Sequence, residues 1–138
     1  MPDPSLYPIY SQSSGGDGPP STGIKTTVIK GTSGAATALN TSLPAVVGRT
    51  NYICGFIVTG GGATAASVIT VSMSGPAVTS GYRIAIPAGA TLGIVPLVVT
   101  FGDNGIAAAG TNTAISIAVA SFGVGNTDAA VTIWGYLV

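Results

Sequence analysis

From residue 24 onward, apolar residues recur at every second position in short runs, and turn-forming residues close each run. Ser67–Met73 is the clearest case: Ile69, Val71 and Met73 fall on one face, and Val68, Thr70 and Ser72 on the other. A period of two is the mark of a strand with one face buried. The same reading predicts strands over Ile24–Lys30, Thr50–Thr59, Tyr82–Ile86, Ile94–Phe101, Thr113–Ala120 and Ala129–Val138. Gly31 to Gly34, Gly60 to Gly62, Gly75-Pro76, Pro87 to Gly89, Asp103-Asn104-Gly105 and Gly123 to Asn126 supply the turns. Ala35–Thr41 fits neither strand nor helix cleanly, and Ala107-Ala108-Ala109, bounded by glycines, reads as a loop.

About eight short antiparallel strands without an amphipathic helix predict an all-β chain, a β-sandwich or jelly roll. Inward faces are expected at Ile69, Val71 and Met73; at Tyr82, Ile84 and Ile86; at Val95, Leu97, Val99 and Phe101; at Ile115, Ile117 and Val119; and at Val131, Ile133 and Leu137. Pro96 suggests an edge or bulge in its strand.

Residues 1–23 break the pattern. Pro2, Pro4, Pro8, Pro19 and Pro20 share this stretch with Gly15, Gly16, Gly18 and Gly23, a composition that packs no core and reads as an extended N-terminal arm. The arm nevertheless carries Leu6, Tyr7, Ile9 and Tyr10. Two readings stand open: a loose terminus, or an arm that docks on a partner through those side chains with Gly15 to Pro20 as its hinge. Residues 24–138 form the expected sandwich domain.

Composition changes the functional picture. The chain has 138 residues, 21 glycines, one cysteine and no histidine, and its four basic and four acidic side chains cancel. It contains no glutamate. The residue types that build acid–base, nucleophilic and metal sites are therefore scarce, which points away from an enzyme and implies neither cofactor nor metal. The charges are scattered and give no basic stripe for nucleic acid. A mean hydropathy of +0.61 with zero net charge suits an assembled subunit better than a free monomer.

No apolar run reaches the roughly 20 residues of a membrane helix. The expected strands, near 6–8 residues, fall short of the roughly 9–11 of a membrane barrel, so no membrane partner is expected. The N-terminus shows no basic and apolar leader pattern, and Cys54, in an apolar strand, reads as a buried thiol.

Gly60-Gly61-Gly62 lacks the lysine of a phosphate loop, and Asn40-Thr41-Ser42 matches a glycosylation acceptor only by its three letters. The best interaction candidates in the sandwich are Trp134 and Tyr136, on the face of the last strand opposite Val131, Ile133 and Leu137. If the aliphatic face fills the core, the aromatics project outward as partner anchors. If both faces are buried, their polar atoms are satisfied internally.

The stretches Asn51 to Phe56, Pro87 to Leu92, Asn112 to Ile115 and Trp134-Gly135-Tyr136 resemble small β-sandwich proteins that decorate or cement the capsids of tailed bacteriophages. The resemblance is one of style over about residues 24–138, and it carries no catalytic or ligand motif. It implies a jelly-roll-like domain, usually a homotrimer, that sits on the major capsid protein and grips the shell with a terminal arm. The corresponding location is the capsid surface of a virion assembled in the host cytoplasm. The competing expectation is a carbohydrate-binding or host-adhesion module of a phage fibre or surface structure, with Tyr82 and Trp134 as rings for sugars to stack on.

Overall fold

The computed structural model describes residues 26–34, 37–88, 95–126 and 128–138. Nine strands run through them: β1 Thr26–Gly34, β2 Leu39–Leu43, β3 Asn51–Gly61, β4 Ser67–Ser74, β5 Ser80–Ile86, β6 Leu97–Thr100, β7 Ile106–Ala107, β8 Ile115–Val119 and β9 Asp128–Leu137. They form two antiparallel sheets. The five-stranded sheet has the order β1-β9-β3-β6, with β7 also on β3, and the four-stranded sheet has the order β2-β8-β4-β5.

Setting the short β7 aside, β1 pairs β9, β2 pairs β8, β3 pairs β6 and β4 pairs β5. First with last, second with next-to-last and so inward is one long hairpin wound around itself. That winding is a jelly roll.

The alternation explains why the sheets pack. Ile69, Val71 and Met73 from β4 meet Ile115, Ile117 and Val119 from β8 on the inner side of one sheet. Phe56 and Val58 from β3, with Val131 and Ile133 from β9, face them from the other. Each such fully buried side chain contributes about 1.5–3 kcal/mol over an exposed one.

In β3 the alternation shifts phase. The register against β9 slips between Ile53 and Gly55, so Cys54 is the extra residue of a β-bulge. Before the bulge Asn51 and Ile53 are buried, and after it Phe56 and Val58 are. Cys54 is consequently half-buried rather than buried, with its sulfur 3.8 Å from the Asp103 carbonyl.

Four further expectations are corrected. Gly31 to Gly34 is not a turn but the second half of β1, paired to Thr132 through Ala129 because β9 is long enough to supply partners. Ala107 belongs to β7, and Ala108 is buried. Val95 is 81% exposed and precedes β6, whereas Leu97, Val99 and Phe101 pack on the core. Strands β3 and β9 run to 11 and 10 residues, matching the expected spans Thr50–Thr59 and Ala129–Val138 but exceeding the general strand length of roughly 6–8 residues.

Candidate partner-binding surface

Register fixes what shares the outer face of the five-stranded sheet. One row crosses it as Ile29, Trp134, Gly55 and Thr100, and the next as Gly31, Thr132, Ile57 and Val98. Neither row holds a charge. Ile29 is 66% exposed and Val98 is 52% exposed, both large apolar side chains left in water.

Trp134 is half-buried between them. Its ring lies over Gly55 so closely that a Cβ there would come within 2.4 Å of the indole and 2.5 Å of the Val99 carbonyl. Glycine at this position lets the indole lie down on the sheet.

The third row is of another kind. Tyr136 is paired with Tyr52, and their rings stack 4.9 Å apart at an interplanar angle of 5°. The Tyr136 hydroxyl donates a 2.7 Å hydrogen bond to the Asn104 carbonyl. Burial raises its pKa above the ordinary 10.0, and neighbouring Cys54 and Tyr52 push in the same direction. Tyr136 is thus buried with its polar atom satisfied inside the chain, while Trp134 keeps part of its ring at the surface. Leu6, Tyr7, Ile9 and Tyr10 lie outside the described residues.

One end of the sandwich frames this face. The loops 44–50 and 75–79 and the stretch 101–114 around β7 meet there, beside the C-terminus and the start of β1. Buried Asn51 ties the end together: its Nδ2 donates to the carbonyls of Pro44 at 3.0 Å and Thr113 at 2.8 Å. Gly48 N donates to the Asn112 side chain, and Asn112 itself takes a φ of 60°. The tips of this pinned end expose Val47 and Val78.

The outer face of the four-stranded sheet is different. Asn40, Ser42, Thr70, Ser72, Ser74, Ser116 and Ala118 alternate outward along β2, β4 and β8, with Arg83 on β5. Val68 is the one large apolar side chain on it. A polar open cleft of about 510 Å³ lies where Lys30 approaches Asn40, Ser42 and Ser116. Tyr82 stands edge-on to Phe56 with ring centres 5.2 Å apart, so much of its ring is committed to the core.

The cleft is lined by Lys30 and Gly31 of β1 as well as by Asn40, Ser42 and Ser116, so it lies at the edge between the two sheets and not under the Trp134 ring. Among the described residues no group of three His, Cys, Asp or Glu side chains comes together as a metal site.

The alternation along β9 singles out Trp134 but not Ile29, Gly55 or Val98 as its neighbours. Their only signal was membership of an outward set, and which outward sets lie side by side depends on pairings between distant strands. Compared with family models, curated proteins and solved structures, the chain matches none.

Proposed function

We propose that this chain is a structural virion protein, a decoration or cement subunit that binds the shell of major capsid protein and acts as a homotrimer. The observation that carries the reading is the pair of uncharged rows on the outer face of the five-stranded sheet, where Ile29 and Val98 are left in water beside the half-buried Trp134 on a rigid jelly roll. Apolar surface held on a stiff sheet is worth covering with protein. An interface of standard size, roughly 800 Å² per partner, yields on the order of 20 kcal/mol gross from burial, most of it offset by association costs. Jelly rolls serve viral shells and lectins alike, so the fold supports this reading without deciding it.

The experiment is fractionation of virus particles on a density gradient from cells that make the chain, with light scattering of the purified protein beside it. The reading expects the chain to band with the particles, and the free protein to have three times the 13.4 kDa chain mass. A chain found only at the top of the gradient contradicts shell binding, and a dilution-independent monomer contradicts the trimer.

A further inference from the structure

We propose that the outer face of the five-stranded sheet is the docking site for this chain's own N-terminal segment, Leu6 to Tyr10, laid against Ile29, Trp134 and Val98. The inference concerns the free subunit and stands whether or not a viral shell is the eventual partner.

Position comes first. The described chain begins at Thr26, opposite Leu137, and three residues later Ile29 already belongs to the face, directly beside Trp134. The preceding residues therefore enter the molecule at the edge of this surface.

Reach comes second. Residues 11–25 are rich in glycine and serine apart from Pro19-Pro20. An unstructured chain of fifteen residues has a root-mean-square span of roughly 20 Å. Strands lie about 4.8 Å apart, so the four-strand width of the sheet is about 15 Å. A tether whose mean length matches the distance to its site holds its ligand at an effective concentration near the millimolar range. A segment from a second copy at micromolar concentration is outcompeted by that local supply.

Chemistry comes third. Between Asp3 and Asp17 the segment carries no charge, and its large side chains are Leu6, Tyr7, Ile9 and Tyr10. Two rows of the face offer two exposed aliphatic side chains beside an indole, again without charge, and Asp128 stands outward only at the far end of β9. Covering each with the other removes both from water. It also gives a charge-poor chain a way to stay dissolved before it meets a partner.

The chain's single tryptophan reports on this face. Acrylamide quenching of Trp134 emission is measured in the full-length protein and in the full-length variant L6S/Y7S/I9S/Y10S. Docking predicts a quenching constant about twofold higher in the variant and red-shifted emission, in step with the ring area uncovered. Val98→Asp, made on the exposed face, is expected to raise quenching in the same way, and it decides the matter if the arm variant fails to fold. Wild-type protection should also survive about a hundredfold dilution, because a tethered ligand does not dilute. Wild-type quenching in either folded variant overturns the proposal. So does protection that is lost on dilution, since the occupant is then another copy.

Discussion

On the outer face of the five-stranded sheet, Ile29, Trp134, Ile57 and Val98 stand side by side, whereas the outer face of the four-stranded sheet presents Asn40, Thr70, Ser72 and Ser116. Both faces belong to strands whose other side fills the same core. Alternation demands that inward positions be apolar, but it leaves outward positions free. The four-stranded sheet uses that freedom as expected for a surface in water. The five-stranded sheet does not, and this departure is where a partner is to be sought.

Two glycines sharpen the contrast. Gly55 lies under the Trp134 indole and against the Val99 carbonyl, while Gly81, on the other outer face, has nothing within 4 Å of where its Cβ would be. Gly55→Ala is expected to cost about 3 kcal/mol, because the carbonyl is backbone and cannot step aside. Urea denaturation with Trp134 emission as the probe should show both the lower midpoint and a displaced ring. An unchanged midpoint would mean that the indole does not rest on the sheet.

The buried tyrosine gives a smaller effect with a pH signature. Tyr136→Phe removes the hydrogen bond to Asn104 and is expected to cost about 1 kcal/mol near neutral pH. Because burial raises the phenol pKa in the folded chain, the group favours the fold below the unfolded value of 10.0. That contribution is lost as pH rises through the higher folded value. Denaturation between neutral pH and the alkaline range should show a decline for the wild type that is shallower in Tyr136→Phe.

The smallest effect has the opposite sign. Gly81→Ala is expected to stabilise the chain by about 0.5 kcal/mol, since it removes unfolded-state freedom without meeting any atom. A thermal melt is sufficient to read it. Destabilisation there would mean that the four-stranded face is not open.

The inner rows were legible along the chain: Ile69, Val71 and Met73, or Ile115, Ile117 and Val119, each announce a buried face by spacing alone. The bulge at Cys54 was not, because Tyr52 to Val58 is apolar throughout and hides the change of phase. Nor was the strand character of Gly31 to Gly34, which comes from the reach of β9 rather than from its own propensity. For the candidate surface, Trp134 was visible as an outward aromatic, and Tyr136 shared that pattern. Only the register against Tyr52 and the bond to Asn104 separate the internal ring from the one at the surface.

The most direct test of the account is the partition of two full-length variants on a particle gradient: Val98→Asp on the five-stranded face and Ser72→Asp on the four-stranded one. Both positions are exposed, so both variants should fold. The wild type and Ser72→Asp are expected to band with virus particles while Val98→Asp stays at the top. Val98→Asp banding with the particles as fully as the wild type would contradict it.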